Sequence, residues 1–394
     1  MAHSQAIEEQ SLPFYHRKRY YPVEIGQILN NRYRIIAKIG YGAYSTVWLA
    51  YDKRVNEYVS MKVSVQTDHS HAGHSPVLNE INMLRRLEHF ANEDHPGLDF
   101  TRLARDIFEI KSLSGVHYCI AYKPQGNSLR TLQEIFPDAR IPKCLVKSLI
   151  HRLFFSVNWL HATCGVAHTD ISPQNVLMEL EDDTSLKDVE NEEIRSPSLP
   201  VISTVKSTAT AVYPSKLTTQ KLSGSPILAD FGQMRLVKGC ENRDWWMSDL
   251  YRAPEVLLQL SWGYSVDIWS IGVMTLELLE GKNLFDPIDH DHGQYVLPLA
   301  LAQYIGYLGP PPLDIIQRSP IFSKYFDAEG NWISEAPIPK TSLEGFVTTI
   351  PPGEEKDQFL RFIRKILTWD PDARATANEI IPDEWLMRPV EDML

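Results

Sequence analysis

The sequence has no run of about 20 apolar residues, the length an α-helix needs to cross a bilayer. Its most apolar stretches, such as "YVLPLALAQYIGYLG", are shorter and contain a proline. The first residues, "MAHSQAIEEQ", lack the basic-then-apolar pattern of a secretory signal. Cysteine is scarce. Cys119, Cys144, Cys164 and Cys240 are scattered, with no C-x-x-C and no paired histidine spacing, which argues for reduced thiols and against a disulfide framework. Positive charge is also short: 39 Lys and Arg stand against 50 Asp and Glu, a net charge of −11. An acidic surface repels phosphate backbones, so a direct nucleic-acid partner is not expected and a basic protein partner is favoured. The expectation is a monomer of the cytoplasm and/or nucleus with no membrane segment.

What is present is ordinary globular composition, 43% hydrophobic and 23% charged over 394 residues, enough for two domains or lobes. Residues 1–30 read as an ill-ordered arm with one basic-aromatic patch, "HRKRYYP". From Tyr33, the runs "RYRIIAKIG", "STVWLAYD" and "YVSMKVSV" are rich in β-branched and aromatic residues and predict three antiparallel strands. "PVLNEINMLRRLE" has Val77, Ile81, Leu84 and Leu87 at helical spacing. A longer buried helix is predicted in "CLVKSLIHRLFFSVNWLHATCG", and another in "VDIWSIGVMTLELLEG", closed by Gly281. The fold class is therefore α+β. A small antiparallel-sheet lobe with one main helix spans 31–123, and a larger, mainly helical lobe spans 124–390. Residues 180–226 are acidic, then rich in Ser, Thr, Pro and Lys, with no sustained period, and are expected to be a disordered insert.

Several short motifs carry chemistry. "IGYGAYSTVW" places Gly40 and Gly42 in a strand-to-strand turn, with Ser45 where a glycine-rich phosphate loop has its third glycine. Glycine allows φ > 0 and close backbone approach to a phosphate, although hairpin turns use it for steric reasons too. Lys62 interrupts an otherwise apolar strand, and Glu80 borders the apolar face of the first helix. Two charges that both face a core need each other. Such a pair would hold Lys62 against nucleotide phosphates. "HTDISPQN" supplies Asp170 and Asn175, and "LADFGQ" supplies Asp230. Asp170 can accept the proton of an attacking hydroxyl, and Asn175 and Asp230 are hard oxygen ligands suited to Mg²⁺. Asp267 is placed to anchor the loop backbone around Asp170, and Glu255 with Arg374 to form a buried structural pair.

Taken together, these residues resemble a eukaryotic protein kinase from about Tyr33 to about Trp385, and most of all the SR-protein kinase (SRPK-like) serine/threonine kinases. The cues are "LNEINML", "HTD", the insert before D-F-G, and "GYSVDIWSIGVMTLELLEGKNLFDP". The resemblance implies a bilobal kinase fold, ATP and Mg²⁺ as cofactors, and phosphate transfer to Ser or Thr of a protein. It implies nucleotide contacts from Ile39, Gly40, Gly42, Val47, Lys62, Tyr122, Gln125, Asn175 and Asp230. Lys123 to Gln125 would be the hinge, and Tyr122 would stand behind the adenine.

Two residues depart from the family pattern. Thr169 replaces an arginine that usually needs a phosphate on the activation loop, so activity without loop phosphorylation is expected, with Ser248 the loop's one Ser or Thr. Ser172 replaces a lysine that steadies the transferred phosphoryl group. Losing one such donor typically costs about 10²–10³ in rate. A slower kinase is expected, with a nucleotide-binding pseudokinase scaffold as the alternative. Asp286, Asp289 and Asp291, interleaved with histidines, would suit an Arg/Ser-rich protein substrate or a solvated loop equally well.

Overall fold

Short β-branched runs broken by polar turns build the small lobe. The computed structural model describes residues 7–13, 15, 19–67, 75–112, 115–205, 208–216 and 224–389. Residues 16–18 of the basic patch lie outside the described residues. β1 (Ile28–Leu29), β2 (Tyr33–Gly42), β3 (Ser45–Asp52), β4 (Glu57–Ser64), β5 (Ala104–Ser112) and β6 (Gly115–Tyr122) form one antiparallel sheet in the order β1-β2-β3-β4-β6-β5. Between β4 and β5 lies α1 (Pro76–Phe90), whose N-cap Ser75 accepts a hydrogen bond from the Leu78 N–H. Its period buries Val77, Glu80, Ile81, Leu84 and Leu87 against the sheet and the second lobe.

The chain crosses to the larger lobe through β7 (Gln125–Ser128), α2 (Leu129–Gln133) and α3 (Lys143–Asn158). β8 (Val166–Ala167) and β9 (Val176–Glu179) flank the loop that carries Asp170.

The insert is not disordered over its described residues. It forms α4 (Thr184–Arg195) and a hairpin of β10 (Val201–Val205) with β11 (Thr208–Val212), before β12 (Pro226–Leu228) returns beside β9. Because β9 and β12 are neighbours, the insert leaves and re-enters at one place. α4 buries Leu186 and Val189 against Ile36, Ala37, Leu49 and Tyr58 of the small lobe. Glu190 fixes the seat, accepting bonds from Arg34 at 2.9 Å and the Tyr58 hydroxyl at 2.5 Å.

The arm is likewise ordered where it is described. Glu8 to Ser11 form a 3₁₀ turn, and buried Glu9 pairs with the buried Lys38 ammonium. Tyr213 of the insert supplies its carbonyl to the same lysine at 3.1 Å. Arm and insert thus meet on β2.

α5 (Ser265–Glu280) is the centre of the large lobe, buried from Val266 to Glu280. It stops at Gly281, whose φ is 69° and whose missing Cβ would lie 2.0 Å from the Asp138 carbonyl oxygen. Arg374 makes a two-pronged bond to Glu255, at 2.7 and 2.9 Å, fully buried, and also donates to the carbonyls of Ser265 and Thr368. Leu186→Ala is expected to cost about 2–5 kcal/mol, as other large-to-small core changes do. A lowered Tm would register this; an unchanged Tm would mean that α4 does not dock.

Candidate active site

A cleft of about 370 Å³ opens between the lobes, and every residue expected to contact a nucleotide lines it: Ile39, Gly40, Gly42, Val47, Lys62, Tyr122, Gln125, Asn175 and Asp230. Gly40 and Gly42 do so in ordinary strand conformation. Neither has the positive φ anticipated for them, and no close neighbour would meet a Cβ at either position. What they contribute is bare backbone over the cleft.

Strand pleating points Lys62 of β4 inward, and α1 presents Glu80 to it. The ammonium donates to Glu80 Oε1 at 2.6 Å and Oε2 at 2.8 Å, and lies 3.7 Å from Asp230 Oδ1. Burial works against the charge on Lys62, but Asp230 and Glu80 outweigh it and raise the pKa above the usual lysine value. The neighbouring Lys62 in turn holds the Asp230 carboxyl below the ordinary range. The Tyr122 hydroxyl donates to Glu80 Oε1 at 3.2 Å, and burial raises its pKa well above the usual value.

The loop from His168 is hung on α5. Asp267, fully buried, accepts from the backbone N–H groups of His168 and Thr169, both at 2.7 Å, and bonds His161 Nε2 at 2.8 Å. This seats Asp170. Its carboxylate accepts from Asn175 Nδ2 at 2.9 Å and from the Ser248 hydroxyl at 2.9 Å. Burial raises the Asp170 carboxyl above the usual aspartate range, against the pull of His168 and Ser248. Asn175 Nδ2 also donates to the Asp170 carbonyl at 2.8 Å. With its amide nitrogen so committed, Asn175 has its Oδ1 left for a cation, and Asp230 adds an ionised carboxylate. This donor set fits a hard divalent ion such as Mg²⁺. Among the described residues there is no cluster of three or more His, Cys, Asp or Glu with metal-site geometry.

Thr169 (φ 70°) occupies a small polar latch. Its hydroxyl donates to the Gln233 carbonyl at 2.8 Å and accepts from Trp246 Nε1 at 3.0 Å. The Arg235 guanidinium lies 3.6 Å from the Trp246 ring centroid. Ser172 is buried.

Several contributors were missed from sequence. Asn79, one residue before Glu80, bonds the carbonyls of Gly232 and Met234 and ties α1 to the D-F-G loop. Ser60, Arg102, Leu177 and Ala229 also line the cleft. Asp286 and Asp289 are engaged by their own neighbours, His290 at 2.8 Å and His292 at 2.7 Å, beside a short hairpin.

An antiparallel small lobe, a helical large lobe and a cleft holding a Lys–Glu pair, an Asp–Asn pair and a D-F-G aspartate define a phosphotransferase of the protein-kinase type. The protein kinase domain matches residues 33–189 and 214–386, and the chain belongs to that family. The gap in the match falls within the insert. The chain is 33% identical over 387 residues to a serine/threonine protein kinase of Aspergillus fumigatus, covering 97% of this chain and 91% of the relative. It is 28% identical over 404 residues to the serine/threonine-protein kinase SRPK of Physarum polycephalum, covering 96% and 91%. With protein kinase dsk1 of Schizosaccharomyces pombe it shares 26% over 373 residues, covering 73% and 68%.

Asp267→Ala strips two buried N–H groups of their acceptor. A loss of about 2–6 kcal/mol is expected, at about 1–3 for each group. Chemical denaturation would show it, and a stability equal to wild type would refute the anchoring role.

Proposed function

We propose that the chain is an active, ATP-dependent protein serine/threonine kinase that needs no phosphate on its own loop. The observation that carries this reading is the Lys62–Glu80 pair, closed and bonded at 2.6 Å within reach of Asp230. In that arrangement Lys62 would hold the α- and β-phosphates of ATP. Asn175 and Asp230 would hold Mg²⁺, which when bound neutralises charge on the phosphate oxygens. Asp170 would take the proton of the substrate hydroxyl as it attacks the γ-phosphorus. The loop reading is supported by the Thr169 latch, which joins Gln233, Thr169 and Trp246 without any charged group among its bonds. A phosphate on Ser248 would set an anion against Asp170, so this serine is a poor candidate for an activating site.

The relatives named SRPK and dsk1 make an Arg/Ser-rich protein segment the first substrate to try, and the acidic surface favours one. We place the protein in the cytoplasm and/or nucleus, acting as a monomer. The pseudokinase alternative rests on Ser172 alone. One assay separates the two: Mg-ATP with peptide libraries that include Arg-Ser repeats, and Asp170→Asn as control. Phosphate incorporation that disappears in the variant is expected; ATP binding with no turnover on any peptide would favour the scaffold. Ser172→Lys is expected to raise kcat by about tenfold or more, since one preorganised donor is worth about 10²–10³.

The pH profile gives a further check. Asp170 must be ionised to accept a proton, and burial holds its carboxyl above the ordinary aspartate range. Activity is expected to fall on acidification at a higher pH than an ordinary aspartate would give. The Ser248 bond favours the ionised form, so Ser248→Ala is expected to move the acid limb to still higher pH. A limb that stays put in that variant would remove Ser248 from the base's environment.

A further inference from the structure

The turn between β2 and β3 has little of its own to hold it. Gly42 and Ser45 line the cleft, while Tyr41, Ala43 and Tyr44 around them are exposed. Nothing would meet a Cβ at Gly42, and glycine loses the most conformational freedom when it is fixed. A tip of this kind depends on backbone hydrogen bonds, and its carbonyls have partners from elsewhere in the chain. The Tyr44 carbonyl accepts from the Val65 N–H at 2.9 Å. The carbonyls of Gly42 and Ala43 both accept from the Tyr20 hydroxyl, at 2.9 and 3.2 Å.

Tyr20 belongs to the arm, outside the residues that match the kinase domain, and is itself held. Its ring stacks on the buried Tyr15, with centroids 5.2 Å apart. Its neighbour Arg19 is fixed to the segment just past β4. The Arg19 carbonyl accepts from the Gln66 N–H at 3.0 Å, and the guanidinium donates to Gln66 Oε1 at 3.1 Å. Arg19 has a φ of 47°, a left-handed conformation that a residue with a side chain keeps only where its surroundings impose it. Burial, with the Glu9 carboxylate, raises the Tyr20 hydroxyl well above its ordinary pKa, so it stays a donor. A peptide unit is planar, with its N–H opposite its C=O. Tying the Gly42 and Ala43 carbonyls to the arm therefore turns the N–H groups of Ala43 and Tyr44 away from it. Tyr20 does not line the cleft, so this grip is applied from behind the cleft wall. Oriented N–H groups are what a backbone turn offers to a phosphate oxygen.

We propose that Tyr20 is a positioning residue for the nucleotide: its hydroxyl fixes the tip of the glycine-rich turn, so that an arm outside the kinase domain sets how tightly and how long a phosphate-bearing nucleotide is held. This rests on the phosphotransfer reading above, in which Mg-ATP occupies the cleft. The arm's second grip, Glu9 on Lys38, falls on the same strand, β2, and steadies the approach to the turn.

The test is Tyr20→Phe, which removes the hydroxyl and keeps the ring. A fluorescent ADP analogue reports affinity by displacement with Mg-ADP and with adenosine, and its own dissociation rate. In the variant, Mg-ADP is expected to bind about two- to tenfold more weakly, the worth of one neutral hydrogen bond, and the analogue to leave faster by a similar factor. Adenosine, which carries no phosphate, is expected to bind as it does to wild type. In turnover, the KM for ATP rises by the same factor while the KM for the peptide does not. A merely structural Tyr20 would weaken ADP and adenosine alike, or lower Tm and leave both affinities where they were; either result overturns the assignment. Hydrogen exchange on the wild-type chain gives a second reading that does not depend on the variant's folding. Mg-ADP is expected to slow exchange at residues 41–45 and at residues 19–21 together, and slowing confined to the turn would overturn the coupling to the arm. If Mg-ATP supports no turnover on any peptide, the phosphotransfer reading fails, and the ratio of ADP to adenosine affinities still decides the role of Tyr20. A wild-type chain that binds neither overturns it.

Discussion

A half-buried lysine and a buried glutamate hold each other in place, and the bond between Lys62 and Glu80 joins a strand to a helix. Breaking such a pair by removing one partner typically costs about 3–5 kcal/mol, because the other charge is stranded. The next residue toward the helix start, Asn79, grips the carbonyls of Gly232 and Met234. Glu80 therefore faces the small lobe while its neighbour faces the large one. The helix α1 is a rigid coupler, and the placement of Asp230 within 3.7 Å of Lys62 follows from both grips together.

The second constraint is the suspension of the Asp170 loop from α5. A loop of this kind exposes backbone N–H groups to the interior, and those must be satisfied. Asp267 answers for two of them from a helix that is itself immobilised by complete burial. On the other side of the loop the Thr169 latch joins it to the residues after D-F-G by hydrogen bonds between uncharged groups. Such bonds are little affected by ionic strength, unlike the ion pairs an arginine would make.

Much of this was legible in the sequence, for reasons that can be named. Lys62 and Glu80 stood out because charge in an apolar context requires a partner. Asp267 and the Glu255–Arg374 pair were placed by the short motifs that carry them, "YSVDIWS", "YRAPEV" and "DPDAR". The insert was misread because two apolar residues, Leu186 and Val189, are too few to lift a polar segment above the look of a linker; their partners Ile36, Leu49 and Tyr58 lie far away in sequence. Arg102 was missed because an arginine before a strand ordinarily points to water. Ser248 was seen only as a modification target, since nothing local to it reveals that its hydroxyl meets Asp170. Gly40 and Gly42 were credited with a turn conformation when the cleft requires only that they lack side chains.

Lys38 gives the arm and the insert a meaning beyond covering the sheet. Its ammonium is wholly buried on β2, and its partners are Glu9 and Glu8 from the arm and the Tyr213 carbonyl from the insert. All of these lie outside the residues that match the kinase domain, apart from the lysine itself; Tyr213 falls one residue short of the second matched segment. A chain cut back to the matched segments would keep every group that handles phosphate and yet strip Lys38 of both counter-charges and of the arm and insert that meet over it, on the strand that leads to Gly40 and Gly42. The small lobe of this protein therefore draws part of its charge balance from outside its family's domain, at a place remote from the chemistry.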